Sequence, residues 1–139
     1  MIQKITLKRR FLAASIKLLA DLANSGGMNV KEARAVKFFI RDASPKQQEI
    51  QEITKDLVEK HAGKYDKKAV PFFKDDSIEK DFYKDLFDAL DETITILAAF
   101  DQQFTVLKHF FDNYEGELPK GNRVGFDIFT DALEKGNTD

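Results

Sequence analysis

Cysteine and tryptophan are absent from this 139-residue chain, and it has only two histidines and three prolines. Without cysteine there can be no disulfides, no thiolate metal sites and no thiol nucleophile. His61 and His109 lie far apart in sequence, so no pair of imidazoles stands at the spacing a transition metal uses. No stretch of about 18 uncharged apolar residues occurs, so nothing reads as a membrane span. The opening run "MIQKITLKRRFLAASIKLLADLA" turns from basic to apolar as a signal peptide does, but Lys17 and Asp21 interrupt its apolar part. The chain therefore reads as cytoplasmic. It lacks a nucleotide-binding loop and any nucleophile-and-base pattern, and so reads as a non-enzyme without a cofactor. A catalytic Asp–His pair would have to be assembled by the fold.

What is present is phenylalanine. Thirteen Phe against three Tyr is a skew toward aromatics with no polar handle, which fill cores and apolar grooves. With 42% hydrophobic and 33% charged residues, the composition is that of a globular domain. Residues 1–135 read as one such domain, followed by a frayed tail at 136–139. The net charge of −2 conceals a polarity. Residues 1–42 hold nine Lys/Arg and three Asp/Glu, whereas residues 71–117 hold four Lys and twelve Asp/Glu. Packed against each other, the basic and acidic segments neutralise.

The apolar periodicity is almost everywhere helical, and the expected fold class is all-α, a compact bundle of about six helices. Ile5, Leu12, Ile16, Leu19 and Ala23 recur at steps of seven, four, three and four, widened by Phe11, Leu18 and Leu22, which predicts a first helix ending near Asn24. A second runs from Val30 to Asp42. In "SPKQ", Ser44 suits an N-cap, Pro45 a first helical position and Gln47 a capping box, so a third helix is expected to begin there and stop at Gly63. Residues 64–74 read as a loop, because Val70 precedes Pro71. Asp76 and Glu79, at capping-box spacing, reopen a helix whose apolar face is Ile78, Phe82, Leu86, Ala89 and Leu90. "TITILAAF" is apolar all round, as a central buried helix is; its β-branched residues also permit a short strand. A stripe of Phe104, Leu107 and Phe111 follows, and a last helix spans Arg123 to about Lys135.

Two junctions, "SGGMNVKEARAVKFF" and "EGELPKGNRVGFDIF", keep their apolar positions in register: Met28 with Leu118, Val36 with Phe126, Phe39 with Phe129. Each reads as a helix end, a glycine, an apolar plug, a cap and a new helix, giving two pseudo-repeated helix–glycine corner–helix units. The pattern resembles the TerB-like domain of tellurite-resistance and stress-response proteins, and the N-terminal domain of certain membrane-anchored J-domain co-chaperones. Gly26, Met28, Asn29 and Glu32 match the first copy of that motif; Gly116 and Leu118 match the second. The resemblance implies a helical fold and an acidic cluster that could hold a metal. Ser25 and Asn122 stand where that family has acidic residues, which puts the metal function in doubt.

Three further clusters have chemistry to offer. Asp81, Asp85, Asp88 and Glu92 share one helix face, and with Glu115 and Glu117 from a second segment they would form an oxygen-ligand site for a hard cation. Alone they face solvent or a partner. Lys4, Lys8, Arg9 and Arg10, then Lys31, Arg34, Lys37 and Arg41, make two basic stripes. Phe38, Phe39 and Ile40 leave the second helix little polar face for bases, so nucleic acid is not the expected partner. In "VPFFKDD", adjacent Phe72 and Phe73 cannot both face one side of an extended segment. Either both wedge between helices, or one tethers the loop while the other is presented beside Asp75 and Asp76. The leading expectation is a non-enzymatic regulator that binds another protein through Phe72, Phe73, Asp75, Asp76, Arg9 and Arg10. A TerB-like metal-responsive module and a small phage- or plasmid-type inhibitor of a host machine are the alternatives.

Overall fold

A computed structural model describes residues 1–137. In chain order it contains β1 (Lys4–Lys8), a 3₁₀ turn (Arg9–Phe11), α1 (Leu12–Asn24), α2 (Val30–Lys60), the two-residue strands β2 (Lys64–Tyr65) and β3 (Pro71–Phe72), α3 (Asp76–Leu90), β4 (Thr93–Leu97), α4 (Gln103–Asp112) and α5 (Arg123–Asn137). The fold is mostly helical but not all-α, and the described residues form five α-helices rather than six. The helix expected to end near Lys135 continues to Asn137. The remainder of the expected tail, residues 138–139, lies outside the described residues.

The first correction is at the N-terminus. Ile5 and Leu7 are buried while Lys4, Thr6 and Lys8 are exposed, a period of two that only a strand satisfies. Its partner is "TITIL", which alternates in the same way with Ile94 and Ile96 buried. The strands pair antiparallel, with Lys4 opposite Leu97, Thr6 opposite Thr95 and Lys8 opposite Thr93. Four β-branched residues in five favour this pleated, half-buried setting over a helix. Ile5 therefore belongs to the sheet, and α1 starts only at Leu12.

The second correction is at Pro45, which does not open a helix but lies inside α2. Ser44 caps nothing; its hydroxyl donates to the Ile40 carbonyl at 2.7 Å. The missing proline N–H and the ring's clash with the preceding turn cost the helix about 3 kcal/mol. Burial upstream of Ala35, Val36, Phe39 and Ala43, and of Val58 downstream, offsets that penalty from both sides. The true start is the capping box at Asn29, whose side chain accepts from Glu32 N–H while Glu32 accepts from Asn29 N–H. At the far end, Ala62 takes the left-handed conformation (φ +54°) and Gly63 N–H bonds Val58 O at 2.8 Å. That is a Schellman turn with alanine in the position glycine usually fills.

One core is shared by the β1–β4 pair, α1, the first half of α2, α4 and α5. Phe39 and Phe129 meet edge-to-face at its centre, 5.3 Å between centroids. The second half of α2 leaves this core. Past Ala43 its only buried residue is Val58, and α3 has only Phe82. Neither belongs to the main cluster. The second half of α2, the β2–β3 hairpin and α3 thus form an arm with a small apolar centre of its own.

Candidate protein-binding surface

The arm is built around Phe82, fully buried on an otherwise half-buried helix. Phe73 packs on it at 4.6 Å between centroids, and the His61 ring meets it edge-on at 6.2 Å. Phe73 is the tether of the "VPFF" loop, and Phe72 is the residue presented outward. The hairpin tip is shaped by Asp66, whose carboxylate accepts the N–H groups of Lys68 and Val70 at 2.8 and 2.9 Å. Asp75, not Asp76, caps α3, accepting from Ile78 N–H at 2.9 Å. Asp76 follows in the first turn, where the helix dipole favours a negative charge.

On this frame the arm exposes Tyr65 (47%), Val70 (49%), Phe72 (49%) and Phe87 (50%), half of the large hydrophobic residues the described chain leaves open. Tyr83 and Phe87, one turn apart on α3, sit 6.0 Å between ring centroids. Asp76, Glu79, Lys80 and Lys84 rim the shallow hollow around them. Phe72 was legible as a candidate from sequence. Tyr83 and Phe87 were not, because they flank the main apolar stripe of α3. The only sign available was an aromatic pair at i, i+4 off that stripe.

Arg9 and Arg10, expected at a partner surface, make ion pairs within the chain. Arg9 bonds Glu49 of α2 at 2.9 Å and lies 3.7 Å from Glu92, and Arg10 bonds Asp91 at 2.8 Å. Lys8 is 3.7 Å from Asp91. These pairs bind the base of the arm to the 3₁₀ turn, so basic N-terminus and acidic middle neutralise each other within the chain. The second basic stripe is also engaged. The Arg34 guanidinium lies 4.6 Å from the centre of the Phe100 ring, and that of Arg41 lies 4.4 Å from Phe38.

The carboxylates of the candidate cation site stand apart. Asp81 and Asp88 are exposed along α3, and Glu115 and Glu117 stand in the α4–α5 loop. Among the described residues no three Asp, Glu or His side chains converge as a metal ion requires. Asp85 is already occupied, bonded to His61 Nε2 at 2.8 Å and to Lys60 Nζ at 3.1 Å. The His61 hydrogen bond, then that of Lys60, holds its carboxyl below the usual carboxylate range. This is the Asp–His pair that sequence alone did not place. No hydroxyl lies among the bonding partners of His61 in the described residues, and the pair joins the end of α2 to α3.

The two glycine corners are corners. Gly26 is left-handed at φ +81°, and Met28 and Leu118 plug the core from their loops. In the second junction the left-handed residue is Gly121 (φ +83°) and not Gly116. Asn122 is buried there and donates to Asp21 at 2.8 Å, with no acidic group of its own to offer. Glu32, acidic in the TerB-like motif, is spent on the capping box. No helix is long and apolar enough to cross a membrane among the described residues. No family model, curated protein or solved structure matches the chain.

Proposed function

We propose that the protein acts by binding another protein, without catalysis, through the aromatic surface of its arm. The observation that carries this reading is the concentration of exposed Tyr65, Val70, Phe72 and Phe87 on an element that contributes nothing to the main core. An arm of this kind is expensive to order, since its residues lose conformational freedom while burying little. Exposed aromatics within a charged rim are what interface hot spots use. The capped start of α3 and the Asp66-ordered tip hold those side chains in fixed positions, which lowers the entropy lost on binding. The runner-up, a TerB-like metal-responsive module, draws support from the Gly26 corner but none from the carboxylates, which stand apart.

The test compares wild type with the Phe72→Asp and Phe87→Asp double variant. Both residues are half-exposed, so the melting temperature should stay within a few degrees. The species captured from lysate of the native host by wild type should be lost from the variant. Retention of the same stoichiometric species by a folded double variant would refute the reading.

A further inference from the structure

The sheet has two outer edges, and they are treated differently. Ladder bonds run from Ala98 N–H to Gln3 O at 2.8 Å and from Arg9 N–H to Glu92 O at 2.9 Å. Antiparallel partners alternate between hydrogen-bonded and non-bonded pairs. With those two pairs fixed, Ile94 and Ile96 direct their N–H and C=O groups toward β1, and Thr93, Thr95 and Leu97 direct theirs away from it. The outward edge of β1 carries Lys4 and Lys8 and lies against α5, so closely that a Cβ on Gly136 would stand 2.7 Å from Lys4 O. The outward edge of β4 has no such cover. Among the described residues the sheet has only two strands, so no strand pairs with the outward edge of β4, where Thr93, Thr95 and Leu97 are exposed.

An open edge is normally blunted by charge, proline or a bulge. From Thr93 to Phe100 there is no charged residue and no proline, and the register with β1 is continuous. Leu97 is 68% exposed at the end of the strand. We propose that β4 pairs antiparallel with β4 of a second copy of this chain, forming a four-stranded sheet across a two-fold axis at Thr95.

The register follows from two constraints. Outward-bonding residues must meet outward-bonding residues, and the exposed face must continue as the exposed face. Centring on Thr95 satisfies both for the whole strand. Thr95 meets the partner subunit's Thr95, and Thr93 meets the partner subunit's Leu97, which gives about six new backbone hydrogen bonds. The exposed face then carries a row of four threonines, because Thr6 already stands opposite Thr95 in each copy. Cross-strand Thr–Thr pairs of this kind stabilise sheets. This surface is separate from the aromatic face of the arm and does not depend on it.

Sedimentation velocity from about 1 to 100 µM tests the pairing, the range in which a modest dimer dissociates. Wild type should pass from monomer to dimer. Thr95→Pro removes only an outward N–H and leaves the β1 ladder intact, so it should be monomeric with a wild-type circular dichroism spectrum. Leu97→Lys, which sets a charge against the seam without touching the backbone, should weaken dimerisation at least tenfold; it decides the matter if the proline variant fails to fold. A wild type that stays monomeric throughout overturns the proposal. So does a dimer that persists in folded Thr95→Pro and in Leu97→Lys, since it would then form through another face.

Discussion

Asp85 shows how much one side chain can be asked to hold. It accepts from Lys60 and pairs with His61 at the end of α2 while projecting from the middle of α3, so it links the two helices of the arm. Those hydrogen bonds favour the charged carboxylate, and its pKa in the folded chain lies below its unfolded value. The direction of linkage follows. The stabilisation is fully present above the unfolded carboxylate pKa, erodes as pH falls into that range, and is gone once pH passes below the depressed folded value. Denaturant midpoints measured from pH 6 to pH 3 should therefore fall more steeply for wild type than for Asp85→Asn. Asp21, whose carboxyl the Lys17 and then the Asn122 hydrogen bond also hold below its usual range, contributes acid sensitivity that the variant keeps. Parallel curves for the two proteins would show that the Asp85 contacts contribute nothing in solution. None of this was visible in the sequence, where Asp85 was one member of an acidic stripe. Its two partners come from 24 and 25 residues away, and residue spacing on one helix says nothing about what the neighbouring helix brings.

At the scale of elements, local signals and packing disagreed twice, and packing prevailed. Ser44, Pro45 and Gln47 form as good a helix start as sequence offers, yet α2 passes through them unbroken. Capping preferences are worth about 1 kcal/mol each. The apolar faces on either side of residue 45 are worth more in sum, and they require one continuous axis. A consequence can be checked. If Pro45 interrupts a helix, Pro45→Ala restores an N–H and removes a ring clash, so it should stabilise the protein by about 1–3 kcal/mol in urea unfolding. If Pro45 instead stood at a first helical position, the same change would be neutral or destabilising through the freer unfolded chain. The strands were harder for the opposite reason. "TITIL" alternates and is β-branched, so a strand was open from the sequence. Its partner was hidden because Ile5, Leu12, Ile16 and Leu19 fit a helical spacing if Leu7 is passed over. The last helix, the α4 stripe and the Asn29 corner were legible because periodicity and burial agree in each, and at Asn29 the cap agrees as well.

The whole molecule is a body and an arm that share α2 and are also joined by charge. The uneven distribution of Lys/Arg and Asp/Glu along the chain was plain in the sequence, as was the expectation that the two segments neutralise on packing; which residues make the seam was not. The seam is small. Arg9 reaches Glu49 and Glu92 from the 3₁₀ turn, with its own side chain only 12% exposed but its partners 53% and 63% exposed. Removing the guanidinium leaves two carboxylates that water can solvate, so the penalty falls well short of breaking a fully buried pair. About 1–2 kcal/mol is the expected size, which is a factor of roughly 5–30 in a local opening equilibrium. The arm's separate apolar centre of Val58, Phe73 and Phe82 makes such local opening possible without loss of the main core. In native-state hydrogen exchange, Arg9→Met should speed the amides of residues 50–60 and 78–90 by that factor. Amides in α1, α4 and α5 should keep their wild-type protection. Equal acceleration everywhere would mean that arm and body unfold as one unit. No acceleration anywhere would mean that the Phe82 cluster holds the arm in place unaided, and that the charged seam is surface decoration.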